Sequence, residues 1–220
     1  MGFPFTSAPV SVFLAIEHGN EFAAAAATGS IASALAAGIF ALAYAHMSHR
    51  GWVAATAVAT LFWALIAAAL RALELSPLVL TLLAWAVFAI AARLMPRAEP
   101  IARAQAPSRW DLPARMAVAT ALVVGVTSAA PLLGPFTSGV ITAFPLYATV
   151  LAVFAQRASG PAAGIAVMRG LLAGAFAFVA FFFVLTTELP ALGLVTTFVL
   201  ATLAILAVQS VALVLLRRSR

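Results

Sequence analysis

Residues 170–187 read GLLAGAFAFVAFFFVLTT: eighteen consecutive positions with no charged side chain and no proline. A run of that length matches the roughly 20 residues a helix needs to cross a hydrocarbon layer of about 30 Å. Six more long apolar runs, some holding a proline or an arginine near an end, lie at about 22–46, 51–70, 75–93, 115–133, 136–156 (with Pro145 inside) and 190–216. They are read as helices because lipid offers the backbone no hydrogen-bond partners, and the ten-residue alternation of a barrel strand is absent. The expected fold is therefore all-α, a polytopic membrane helical bundle of seven full spans. A short N-terminal stretch, Phe3 to Ile16, is broken by Pro4 and Pro9 and is an eighth candidate. It reads as a tilted span, a re-entrant half-helix or the remnant of a longer start, and it lacks the preceding Lys or Arg of a cleavable signal peptide.

Composition agrees. Of 220 residues, 65% are apolar and 8% charged, against about half and a quarter in soluble domains. So little is left outside the spans that any function must sit among the helices. The absence of cysteine excludes a disulfide framework, a thiolate zinc site and a cysteine nucleophile. All twelve basic residues are arginine, and the net charge is +6. In a soluble chain that balance would suggest nucleic acid, but no arginine cluster with interleaved aromatics exists, and nucleic acid is not an expected partner. Ten arginines instead fall in or beside alternate polar breaks, and Glu17, Glu21, Glu74 and Glu188 fall in the others. That is the positive-inside pattern, which makes the arginine side cytoplasmic in a bacterial-type inner membrane. The polar stretch 96–113 reads as a cytoplasmic linker between an N-terminal unit, 1–95, and a C-terminal unit, 114–220, with the C-terminus on the same side.

The two units show weak self-similarity. Thr28-Gly29-Ser30 opens a span that closes at Arg50, and Phe136-Thr137-Ser138-Gly139 opens one that closes at Arg157. Glu74-Leu75-Ser76-Pro77-Leu78 matches Glu188-Leu189-Pro190-Ala191-Leu192. If each unit has four spans, the halves share one orientation and form a 4+4 tandem repeat. The run Gly139 to Ala148 with its Phe144-Pro145 pair, then Arg169, then Leu189-Pro190-Ala191, resembles the GlpM family of small four-span inner-membrane proteins over roughly residues 115–210. The resemblance implies a fused pair of such units; it supplies architecture and no catalytic residues. The first unit departs from the pattern, with Ala37 and Gly38 opposite Phe144 and Pro145.

Among single residues, Pro145 is the sharpest feature. It removes a backbone hydrogen bond in mid-span, and released carbonyls with Ser138, Thr142 and Tyr147 could line a solute site, or the kink could be static. Arg169 reads either as an intramembrane ligand for an anion about 12 Å along its helix, or as a side chain that snorkels to the cytoplasmic surface. Glu17, His18 and Glu21 form an outer polar cluster able to hold a cation or relay protons, and equally a solvated loop. Arg71 and Glu74 are expected to pair locally, His46 and His49 lack the further ligands of a zinc site, and Gln209 reads as interhelical glue. Gly160-x-x-x-Gly164 and Gly170-x-x-x-Gly174 are close-packing seams suited to a compact bundle, a homodimer or a larger membrane complex. No Walker loop, paired buried carboxylates or catalytic triad is present, so neither an enzyme nor a cofactor or metal is expected. The leading function is binding or movement of a small solute within the bundle. The others are an accessory subunit packed against a partner protein and a membrane-embedded enzyme acting on lipids.

Overall fold

A computed structural model describes residues 7–96, 116–117, 120, 132 and 134–218, with side chains to residue 210. The apolar run 115–133 and the linker 96–113 lie almost wholly outside the described residues. The described residues are helical apart from short corners: α1 (Ser7–His18), α2 (Asn20–Met47) extended by a 3-10 turn (Ser48–Arg50), α3 (Trp52–Leu73), α4 (Pro77–Leu94), α5 (Pro135–Thr142), α6 (Leu146–Ser159) and α7 (Pro161–Arg218). No strand occurs among the described residues. Among the described residues, five segments are long and apolar enough to cross a membrane: 20–50, 52–73, 77–94, 135–159 and 161–210.

The ends of these helices follow from local chemistry. Gly19, Gly51 and Gly134 precede α2, α3 and α5 at φ +88°, +101° and +78°, a backbone region open mainly to glycine. Before α4, Ser76 accepts the Val79 amide and Pro77 occupies the first helical position, where a missing N–H costs nothing. Inside α7, Gly193 at φ +71°, ψ 176° interrupts the helix three residues beyond Pro190, the position the sequence suggests. The interruption is sharp. Phe181 and Phe198 would stand about 25 Å apart along a straight helix, yet their rings meet edge to face at 5.7 Å. The chain therefore folds back on itself, and the apolar runs 170–187 and 190–216 become two arms joined at a glycine.

Helix α2 is the centre. It is rich in Ala, Gly and Ser, and small side chains let the other helices approach closely where lipid offers little hydrophobic drive for association. The approach is closest against α5. A Cβ on Gly29 would meet the Phe136 carbonyl, and one on Gly139 would meet the Ala26 carbonyl. These contacts are reciprocal: Gly29 faces Phe136 as Gly139 faces Ala26, so that Gly29 and Gly139, like Ala26 and Phe136, occupy equivalent places in the two helices. Large residues face outward from α3, α4 and the far arm of α7, as on a lipid-facing surface: Leu61, Leu65, Leu82, Val195 and Leu203 are all exposed.

Pairings along the helices define two ends. Tyr44 meets Gln156 and Arg157 sits over Trp52, so Arg50, Arg93 and Arg157 share one end. Leu189 packs with Leu14 and Ala23, so Glu17, Glu21 and Glu188 share the other with Glu74. These are called the arginine end and the glutamate end below.

Candidate functional site

The segment 135–159 breaks about halfway. Proline at 145 has no amide for the Ile141 carbonyl, which accepts from Phe144 instead at 3.1 Å. The Leu146 amide then reaches the Phe144 carbonyl at 2.6 Å, a tight turn about Pro145 (φ −74°, ψ 50°), before the Thr149 amide restarts the ladder on the Pro145 carbonyl. Three hydroxyls flank the turn and bond back one turn: Ser138 to Gly134, Thr142 to Ser138, and Thr149 to Pro145, each at 2.7 Å. Back-bonding of this kind bends helices, and here it reinforces the break.

Two neighbours complete the break. Ser7, buried at the start of α1, places its hydroxyl 3.5 Å from the Thr142 carbonyl. Ser7 thus lies level with the break, and the twelve residues from Ser7 to His18, about 18 Å of helix, end at the glutamate end with Glu17 and His18. On the other side, Phe144 inserts its ring edge-on between Trp63 at 4.8 Å and Phe40 at 5.9 Å. The Trp63 indole N–H donates to the Ser33 hydroxyl at 3.2 Å, which fixes the aromatic cluster to α2.

Toward the arginine end, the buried Tyr44 hydroxyl donates to Gln156 Oε1 at 2.8 Å, and Gln156 Nε2 donates to the Ser48 carbonyl at 2.8 Å. Gly164 makes room for this pair: a Cβ there would lie 3.0 Å from Gln156 Oε1. Neither Tyr44 nor Gln156 stands out in the sequence. Gln156 adjoins Arg157 and looks like the polar end of a span; only its partner 112 positions away shows it to be buried (156 − 44 = 112).

The structure brings Ser138, Thr142 and Pro145 together and leaves Tyr147 and Arg169 apart from them. The Tyr147 side chain is 62% exposed on the outside of the bundle. Arg169 turns to the end of α4, where its Nη2 donates to the Met95 carbonyl at 3.1 Å and the Pro96 carbonyl at 2.7 Å. A cation at a helix C-terminus satisfies carbonyls left without intrahelical partners and opposes the negative end of the helix dipole. We expect Arg169→Leu to lower stability by about 1–2 kcal/mol, since two charge-assisted bonds at a half-buried site are lost. Thermal unfolding in detergent checks this, with Arg169→Lys losing less than Arg169→Leu because its ammonium can still reach one carbonyl.

The outer cluster does not converge. Glu17, His18 and Glu21 are exposed, with the His18 ring stacked on Phe22 at 4.8 Å, and no group of three acidic or histidine side chains able to hold a metal occurs among the described residues. Arg71 donates to the Thr137 hydroxyl rather than pairing with Glu74, which caps α3 in the left-handed conformation at φ 45°. Ring stacking and hydroxyl bonding at this end leave the carboxylates facing outward.

No family model, curated protein or solved structure matches this chain. What the site does must be argued from its own chemistry.

Proposed function

We propose that the chain is a membrane transporter or permease that moves a small solute past the broken helix. The carrying observation is the break at Ala143–Pro145 lying beside Ser7 of α1. Irregular backbone at membrane depth is tolerated where it is buried in protein or lines a cavity, and discontinuous helices with free carbonyls are where transporters place their solutes. The Ser7 and Thr142 hydroxyl oxygens, whose protons are engaged within the protein, can still accept hydrogen bonds from a solute, and Phe40, Trp63 and Phe144 supply an apolar wall.

The same reading takes the chain as two tandem units of like orientation. In support, the reciprocal Gly29 and Gly139 contacts are what a local two-fold axis between α2 and α5 would produce. The corners also recur in order: Gly19 (ψ 165°) and Gly134 (ψ 166°) before α2 and α5, Gly51 and Gly160 before α3 and α7. The two arms of α7 are then two crossings, α1 is the half-helix, and the arginine end faces the cytoplasm by the positive-inside rule. The resemblance to the GlpM family, which rests on the sequence motifs alone, would imply the same architecture and adds no activity.

A second reading, an accessory subunit, is favoured by one observation: Tyr147 and Arg169 do not join the break around a common cavity. The groove of about 480 Å³ between α1 and the far arm of α7 is apolar, with Val12, Leu194, Phe198 and Leu203 in its walls, and it opens on the outside.

The test is reconstitution in liposomes with a panel of labelled probes: erythritol, alanine, lactate, rubidium and phosphate. The transport reading expects saturable uptake of at least one probe at ten or more times the rate of empty liposomes. Background flux for every probe, with the protein shown folded after reconstitution, sinks it in favour of the accessory subunit.

A further inference from the structure

The buried polar pair at the arginine end is not needed to hold the helices together. Helices α2 and α5 already meet backbone to backbone, and α7 is tied to α2 through Thr186, whose hydroxyl donates to the Ala24 carbonyl at 2.6 Å and sits 2.7 Å from the Thr28 hydroxyl. Those ties all lie between the break and the glutamate end. Beyond the break, α6 packs along the first arm of α7, where Gly164 lies against Gln156, and its polar ties to α2 are the Tyr44–Gln156–Ser48 bonds, with the aromatic cluster around Phe144 at the break itself. Buried polar pairs in membrane helices contribute modestly, about 0.6 kcal/mol on average. A link of that strength can open and close; a backbone-to-backbone seam cannot.

The backbone places a hinge at the right spot. Between α5 and α6 the regular ladder is interrupted from Ala143 to Leu146, and Ala143 (φ −93°, ψ 8°) and Pro145 carry the change of direction. Hinges are a few residues at element ends that absorb dihedral change. The fourteen residues of α6 form a lever about 20 Å long, with the hinge at one end and Gln156 at the other. Arg157 at its tip lies over the Trp52 ring at 5.7 Å, a cation–π contact on the exposed surface that a small rotation breaks at little cost.

We infer that the Tyr44–Gln156–Ser48 clasp, with the Phe40–Phe144–Trp63 cluster between it and the break, is a gate that closes the arginine end, and that α6 is the arm that moves. In the closed state seen here, the rings fill the column below the break and the clasp holds α6 against α2. Opening releases Gln156 from Tyr44 and Ser48, swings α6 about Ala143–Pro145 and draws Phe144 out from between Phe40 and Trp63. The gate rests on the transport reading for its purpose, but its motion can be measured without any flux.

The chain has no cysteine, so a single introduced thiol reports access cleanly. Ala152 is fully buried one turn from Gln156 on the same face of α6. In the full chain carrying Ala152→Cys, a charged membrane-impermeant maleimide should label slowly. Adding Tyr44→Phe, which removes one oxygen and keeps the ring packing, should raise the labelling rate at least fivefold; Gln156→Met should do the same. Unchanged labelling in both, with thermal melts showing folded protein, overturns the gate. If Gln156→Met does not fold, Tyr44→Phe alone decides. A labelling change without flux of any probe keeps the moving arm and removes transport; flux with unchanged labelling removes the gate and keeps transport.

Discussion

Gly139→Ala is expected to leave little folded protein. A methyl group at this position has nowhere to go, because its neighbour is the Ala26 carbonyl on the backbone of α2 rather than the end of a side chain. Overpacking that side chains can absorb costs about 1–3 kcal/mol, and here two helix axes must part instead, so the cost falls at the upper end or beyond. Gly29→Ala, against the Phe136 carbonyl, should behave alike. Gly38→Ala is graded below them: its methyl would approach Phe88 Cδ1 and Val87 Cγ1 at 2.9 Å, and both are side chains that can shift. Gly170→Ala meets nothing within 4 Å. It should raise stability by about 0.5–1 kcal/mol through helix propensity alone. Size-exclusion profiles and melting temperatures of the four variants check the order Gly139 and Gly29 worst, Gly38 intermediate, Gly170 improved. Equal losses at Gly170 and Gly139 would mean that α2 and α5 are not in the contact described.

That order also marks what the sequence could and could not say. The class of fold was legible because lipid permits few alternatives: once 65% of residues are apolar, runs of about 20 must be helices. Corners were legible where chemistry is local, as at Ser76-Pro77 and Gly51. The corner in α7 was placed at Pro190 but occurs at Gly193, since proline near the end of a helix can remain helical whereas φ +71° requires glycine. Interior pairings were not legible. Small residues at Gly29 and Gly139 announce close approach without naming a partner, and the partner is what makes one glycine indispensable and another replaceable. For Arg169, counting 12 Å from Pro161 gave a depth, but not that two carbonyls at the end of α4 lie there to receive it. Tyr44 and Gln156 carried no signal, because a lone phenol in an alanine-rich helix and a glutamine beside an arginine both look ordinary until the fold buries them together.

Pro145→Ala is expected to move stability and activity in opposite directions. Alanine restores an amide that can return to the Ile141 carbonyl, now served by Phe144, and it removes a ring that clashes with the preceding turn of a regular helix. Proline in a helix interior costs up to about 3 kcal/mol relative to alanine, although part of that is already offset here by the tight turn at Phe144–Leu146. The variant should therefore melt higher than the parent by several degrees. Its α5 and α6 would join into one stiffer helix. The carbonyls around Thr142 would be recaptured by the ladder and the bend before α6 straightened, so on the transport reading flux of the probe that the parent moves should fall at least tenfold. Phe144→Ala separates the two contributions. It keeps the proline and the hinge but removes the ring between Trp63 and Phe40, so it should lower the melting temperature and raise basal leak of that probe. A Pro145→Ala protein that melts higher with full flux would make the bend a static kink, and the solute would then have to pass elsewhere. Higher stability with lost flux is the trade expected where an irregular backbone is kept for function rather than for folding.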